Sequence, residues 1–255
     1  MAGTLLSVAG FDPAGGAGIL LDLQVFRAMG FSGAALITAL TVQNTRAVRK
    51  VKPLSARFIE EQWVALDADL PIAGIKIGMI GSRAILRTIV RGLSRHPDLP
   101  RVIDPVLRSS SGVPLLEAPA VSDLLHRLRG KATLLTPNME EAGRMAGIDV
   151  VSLQDMEDAA RRIHEETGIS CLVKGGHLRS QPLDVLFDGR RIWKFVKPRV
   201  RRDVHGTGCY LSAAILCYLA RGRSLVEACA SASERMTAAL RNSERPGRGR
   251  YILRP

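Results

Sequence analysis

The stretch LLSVAGFDPAGGAGILLDLQVFRAMGFSGAALITAL, residues 5–40, decides the architecture. Leu5 to Ala9 is an apolar run of strand length, Ile19 to Met29 is amphipathic and helix-length, and Ala34 to Leu40 is a second apolar run. Between the first run and the helix lies Gly10-Phe11-Asp12-Pro13-Ala14-Gly15-Gly16-Ala17-Gly18, too rich in glycine to continue either element. Strand, helix and strand in this order read as a βαβ unit, which closes on a parallel sheet.

The pattern repeats to the far end of the chain. Gly74 to Ile77, Val102 to Ile103, Thr133 to Leu135 and Cys171 to Val173 are further strands, and Arg57 to Leu66, Ser82 to Leu93, Pro119 to Leu128, Met139 to Ala146 and Leu153 to Glu166 are helices. Leu183 to Phe187 and Arg191 to Phe195 flank Asp188-Gly189, a turn dipeptide that makes them a hairpin and gives the sheet an antiparallel edge. No repeat or Pro/Ser-rich linker interrupts this. The expectation is an α/β fold in one domain over residues 1–255, mainly parallel, with a basic tail at about 241–255 that is solvated and partly ordered.

Composition narrows the class. The 255 residues are 46% hydrophobic and 24% charged, ordinary globular values with enough chain for a substantial core. Cys171, Cys209, Cys217 and Cys229 show no CxxC spacing and read as reduced thiols, so neither a disulfide framework nor a zinc site is expected. No basic leader or membrane span stands out, and a cytoplasmic protein is expected. A net charge of +12 invites a nucleic-acid reading, but the arginines are spread along the chain and aromatics are only 4%, leaving no base-stacking platform. No nucleic acid is expected. Arg199, Arg201 and Arg202 are placed to meet a polyanionic substrate.

Ligands of open α/β sheets bind beyond the carboxyl ends of the strands. Here those ends carry the glycine loop and Asp22, then Gln43-Asn44-Thr45, Gly78-Met79, Asp104-Pro105-Val106, Thr136-Pro137-Asn138 with Glu140 and Glu141, and Lys174-Gly175-Gly176-His177. The glycine loop is neither a Walker loop nor a dinucleotide fingerprint. Asp22 and Gln43 either bond a polar heterocycle or serve as caps and surface polars. Asn138 and Glu141, three apart on one helix face, suit water-mediated Mg²⁺ against phosphates, with Glu140 pointing elsewhere.

Val204-His205-Gly206-Thr207-Gly208-Cys209 precedes an uncharged segment, Tyr210 to Ala220, that suits a buried helix. The turn either aims unpaired N–H groups of Gly206, Thr207 and Gly208 at an anion, or is only a tight turn. Cys209, on the first turn, is either a thiolate base or nucleophile favoured by the helix end, or a small buried hydrophobe. With Lys174 as a cation, the parts together suit phosphoryl transfer. His177 and His205 lack companions for a metal site and read as turn or supporting residues.

AGFDPAGGAG (9–18), ITALTVQNT (37–45), KIGM (76–79), DPV (104–106), TPNMEEA (136–142), KGGH (174–177) and HGTGC (205–209) together resemble the hydroxymethylpyrimidine/phosphomethylpyrimidine kinases of thiamine biosynthesis, in the ribokinase-like superfamily. The resemblance runs from about residue 5 to about residue 240. It implies a twisted central sheet flanked by helices, a homodimer, and two ATP-dependent phosphorylations, of hydroxymethylpyrimidine to its monophosphate and then to its pyrophosphate. It places Gly10, Asp22, Gln43, Met79 and Val106 around the pyrimidine, and Asn138 and Glu141 in the Mg-ATP motif with Asp104 as a second carboxylate. Lys174 and Gly175 fall in a nucleotide-phosphate segment, Gly206, Thr207 and Gly208 in the anion hole, and Cys209 at the catalytic-base position.

Four positions depart from that pattern. Phe11 replaces a serine, Ser110 a lysine, Tyr210 a small hydroxyl and Val204 an asparagine. If the lysine neutralises the second acceptor phosphate, Arg108 or the Arg201/Arg202 pair must substitute, or the second step is weak. The alternatives are a pyridoxal-type kinase on the same fold and a non-catalytic ligand sensor. Gln43 favours the aminopyrimidine, because an amide pairs with both a ring nitrogen and an exocyclic amine.

Overall fold

Side chains alternate across a strand, so a sheet buried on both faces sorts its apolar residues into two cores. The computed structural model of the protein shows this sorting; it describes residues 3–109, 112–116, 119–176, 178, 181–200 and 202–255. The first half of the chain runs β1 (Thr4–Phe11), α1 (Gly18–Ala28), β2 (Ser32–Gln43), β3 (Val48–Pro53), α2 (Ala56–Asp69), β4 (Ile72–Ile77), α3 (Arg83–Arg95), β5 (Arg101–Ile103) and α4 (Pro119–Leu128). It continues through β6 (Leu134–Leu135), α5 (Met139–Ala146), α6 (Leu153–Thr167), β7 (Ser170–Gly175), β8 (Leu183–Phe187), β9 (Ile192–Val196), β10 (Val204–His205), α7 (Thr207–Ala220), α8 (Leu225–Arg241) and β11 (Tyr251–Ile252).

Nine strands form one sheet in the order β3-β2-β1-β4-β5-β6-β7-β8-β9. β1, β2, β4, β5, β6 and β7 are parallel; β3 runs antiparallel to β2 at one edge, and β8 and β9 fold back antiparallel at the other. The expected α/β sheet with an antiparallel edge hairpin is therefore present, and a second antiparallel edge was not expected. β3 reads VRKVKP, and three cations in six residues look like loop although they suit an exposed edge.

Leu6 and Val8 of β1, with Ile103, Leu135 and Val173, pack against α2, α3, α4, α5 and α6. Leu5, Val102, Leu134 and Leu172 face the other way, against α1, α7 and α8. α7 is buried from Tyr210 to Cys217, as an uncharged helix should be. Ser82 is not the first residue of α3 but its N-cap, accepting from the Ile85 N–H at 3.3 Å. The signal for α8 is the capping box of Ser224 and Glu227, which the search for apolar periodicity passes over. No helix among the described residues is long and apolar enough to cross a membrane.

The segment after α8 corrects an expectation. It is exposed at Arg245–Arg248, yet its backbone is tied down as a strap. β11 pairs in parallel with β10, Tyr251↔Val204 and Ile252↔His205. The Gly249 and Arg250 N–H groups donate to Thr45 Oγ1 and the Thr45 carbonyl at 3.2 and 2.8 Å, and Arg250 pairs with Asp203 at 2.9 Å. Charge counting misses this because most of the contacts are made by backbone groups of the strap, some of them 204 positions or more from their partner.

Candidate active site

The chain leaves β1 for β2 on one side and later sets β4 on the other, so the connections diverge at the carboxyl end of β1 and open a crevice there. The crevice is a cavity of about 740 Å³. Its floor at the switch point is Gly10 and Met79, where a Cβ on residue 10 would come within 2.8 Å of the Met79 sulfur. Gln43 from β2 and Val106 after β5 complete this end, with Phe11, Thr41 and Leu115 beside them.

The glycine loop and the turn before α7 interlock. Gly206 has φ +82°, and a Cβ there would strike the Gly16 carbonyl oxygen at 1.9 Å; Gly18 has φ +60°, and a Cβ there would strike the Gly10 carbonyl oxygen at 2.2 Å. Gly206, Thr207, Gly208 and Cys209 all line the crevice. No side chain caps α7, so its first N–H groups have no partner within the helix, and the residues that carry them line the cavity.

Lys174, at the end of β7, brings a cation to this turn. A Cβ on Gly208 would lie 2.9 Å from its ammonium, and the ammonium bonds Asp104 Oδ1 at 2.5 Å. Burial opposes its charge, but Asp104 and Glu141 outweigh that and hold Lys174 above the usual lysine value. Asn138 and Glu141 form the capping box of α5: Asn138 Oδ1 accepts from the Glu141 N–H at 2.9 Å, and Glu141 Oε2 from the Asn138 N–H at 2.8 Å. Burial, with Asp104 adding to it, pushes Glu141 up to about 7 against the pull of Lys174. Glu140 is exposed and pairs with Arg144 at 3.0 Å and Arg108 at 3.8 Å, so the helix phase is as expected.

Three expectations need correction. Asp22 is not on the crevice wall; it is fully buried on α1, ion-paired to Lys76 at 2.8 and 3.0 Å and accepting from Ser7 Oγ at 2.6 Å. Its carboxylate is consumed by the lysine that an apolar strand had to bury, and Asp22 holds Lys76 above the usual value despite desolvation. Gly175 does not offer its N–H to a nucleotide, since that group donates to Asp184 Oδ1 at 3.1 Å; Gly176 lines the crevice instead. The Cys209 thiol is not made more acidic. Burial dominates and raises it, with Asp22 and Asp104 adding to the rise and Lys76 opposing.

The arginine substitutes also divide. Arg108 reaches the crevice, whereas Arg202 lines it but donates to the Arg241 carbonyl at 3.0 Å and lies over the Tyr251 ring. Ser110, His177 and Arg201 lie outside the described residues. Reading motifs missed Asp12, Thr41, Asp184 and Lys197, all on the wall. A charged residue inside an apolar strand, as in Leu183-Asp184-Val185, was the available signal.

Among the described residues no three His, Cys, Asp or Glu side chains form a metal-binding group. Asp104 and Glu141 are two buried carboxylates facing one ammonium, each already hydrogen-bonded. They fit a cation that arrives on phosphates and is held through water, not a preformed cage.

The family model described as "Phosphomethylpyrimidine kinase" matches residues 12–254. A hydroxymethylpyrimidine/phosphomethylpyrimidine kinase of Aquifex aeolicus is 38% identical over 250 residues, covering 97% of this chain and 98% of that protein. A thiamine biosynthesis bifunctional protein of Geobacter sulfurreducens is 40% identical over 249 residues; the match takes in 97% of this chain but about half, 51%, of that longer protein. The structure of a Staphylococcus aureus pyridoxal kinase in complex with ADP superposes with a TM-score of 0.90 at 28% identity, covering 99% of this chain and 93% of that one.

Proposed function

The chain belongs to the phosphomethylpyrimidine kinase family, and from that premise we propose that it transfers the γ-phosphoryl group of ATP to hydroxymethylpyrimidine and then to the resulting monophosphate. One observation carries the reading: the Lys174 ammonium stands over Gly208 on a turn of free N–H groups, with Asp104, Glu141 and Cys209 around it. A sensor needs affinity, but it does not need a cation, an N–H cradle, two carboxylates and a thiol converging on one point.

In this reading Gly10, Gln43, Met79 and Val106 hold the pyrimidine, with the hydroxymethyl group directed at the turn. Gly206, Thr207 and Gly208 stabilise the charge that develops on the transferred phosphoryl group, and Lys174 neutralises it from the other side. Cys209 accepts the hydroxyl proton in the first step. Asn138, Glu141 and Asp104 hold Mg²⁺ through water, which when bound neutralises phosphate charge. The apolar end of the crevice, with Val200, Leu211, Met236 and Leu240, takes the adenine. Four free cysteines suit a reducing cytosol.

The S. aureus neighbour makes pyridoxal the competing acceptor. Gln43 favours the aminopyrimidine, so Gln43→Leu should raise KM for hydroxymethylpyrimidine about tenfold, the effect of one lost hydrogen bond in a closed site, while ATP binding persists. Steady-state kinetics with hydroxymethylpyrimidine, its phosphate and pyridoxal decides. An unaltered enzyme that turns over pyridoxal alone rejects the pyrimidine reading.

A further inference from the structure

Asp12 is only 4% exposed, and its two carboxylate oxygens have different fates. Oδ1 accepts from the Ala14 N–H at 2.9 Å, while Oδ2 has no hydrogen-bond partner among the described residues. His205 Nε2 stands 3.3 Å from Oδ2, and the same ring nitrogen is 3.1 Å from the amide atom of Gln43 placed as Nε2. A ring nitrogen either donates or accepts; it does not do both. A lone pair on Nε2 would face a buried negative charge, so the carboxylate favours a proton there. The remaining charges on the adjoining strands, Arg250 and Asp203, pair with each other at 2.9 Å.

A proton on Nε2 settles the amide. Oxygen and nitrogen of a glutamine amide fill the same space, and their neighbours decide which faces where. The His205 N–H requires the Gln43 oxygen. Thr41 gives the same answer independently: its one hydroxyl proton goes to the Phe11 carbonyl at 2.9 Å, so the amide atom 3.4 Å from Thr41 Oγ1, placed as Oε1, is better matched as the amide nitrogen, and the two ends of the amide exchange. His205 is itself fixed. Its backbone pairs with Ile252, and a Cβ on Gly16 would lie 2.9 Å from its ring.

We propose that Asp12 and His205 are specificity-determining positioning residues, holding the Gln43 amide with its oxygen on His205 and its NH₂ turned to the crevice, where it donates to a ring nitrogen of the acceptor. The proposal rests on the acceptor reading above for its substrate, but not for its tautomer. The two residues touch no reacting atom; they set which edge of the amide the ligand meets. An acceptor ring presenting a donor at that edge would leave both groups unsatisfied and be rejected.

The test has two readouts on the full chain. Nitrogen NMR of labelled histidine, without acceptor and with His205 assigned by its loss in His205→Gln, should place Nε2 in the protonated range. Asp12→Asn keeps the Oδ1 turn but removes the negative charge, so it should shift that signal to the unprotonated range and raise KM for hydroxymethylpyrimidine about tenfold, with kcat changing less. An unprotonated Nε2 in the unaltered protein overturns the proposal, and that spectrum decides alone should the variant fail to fold. An unchanged KM in Asp12→Asn overturns it as well. Absence of pyrimidine phosphorylation by the unaltered enzyme would count against the acceptor reading and leave the tautomer result standing.

Discussion

The Cys209 thiol sits among charges that pull its acidity both ways, and burial wins. A thiol above its ordinary value of 9.0 is scarce as thiolate near neutrality but a strong base once ionised. The first phosphorylation, which must remove a hydroxyl proton, should therefore still accelerate above pH 9, and Cys209→Ala should depress it by roughly 10²–10⁴-fold. The second acceptor is already an anion, so single-turnover rates for that step should fall much less; equal losses would make Cys209 positional. Glu141 titrates in the opposite sense to a stabilising carboxylate. Its ordinary value is 4.5 and burial raises it to about 7, so the metal-free protein takes up a proton on folding between those values. This group's contribution to stability is full below pH 4.5 and is lost as pH rises through 7. Glu141→Gln should flatten that part of a denaturation-versus-pH curve, and an unchanged slope would show that the carboxyl is ionised throughout. Local features such as the turn glycines Gly206 and Gly208 and the three-residue spacing of Asn138 and Glu141 were legible in the sequence, although that spacing was read for Mg²⁺ and the structure shows it as a capping box. Asp22 was not, because its partner Lys76 is 54 positions away and nothing local pairs them.

At the scale of elements, the strap from Glu244 to Ile252 joins the loop after β2 to the turn before α7. The Gly249 and Arg250 N–H groups hold Thr45, and β11 holds β10. A Cβ on Gly249 would come within 2.1 Å of the Thr45 carbonyl, so Gly249→Ala should force the two apart and sacrifice hydrogen bonds of about 1 kcal/mol each. The expected result is a higher KM for the acceptor with KM for ATP little changed; equal effects on both would show that the strap supports the fold and not the loop. Apolar periodicity revealed the central strands because burial on both faces leaves an uninterrupted signal in Leu5–Ala9 and Cys171–Val173. It could not reveal β3, a cation-rich edge strand, or β11, which is only two residues long; both are held by backbone bonds and bury little.

Among the described residues the nine-stranded sheet lies between two helical faces, beside the two-stranded β10–β11 pair, and it has an edge that is unlike its interior. Leu40 and Val42 lie on one face of β2 and are 41% and 56% exposed, while the neighbouring edge strand carries Arg49, Lys50 and Lys52, which discourage strand-to-strand addition. The homodimer in our reading would cover the apolar face and leave the charged edge alone. Light scattering should then find a dimer that Val42→Asp converts to monomer, and a monomeric unaltered protein would remove the dimer from the reading. The strap also has a consequence for synthesis. Thr45 and Gly249 are 204 positions apart, so a ribosome adding about 5–20 residues per second delivers the loop roughly ten to forty seconds before the segment that pins it. The sheet can be built on the nascent chain during that interval, but the acceptor end of the crevice cannot be. Translation that stops between α8 and β11 would release a protein that folds, survives and binds nucleotide, yet cannot hold the molecule it exists to phosphorylate.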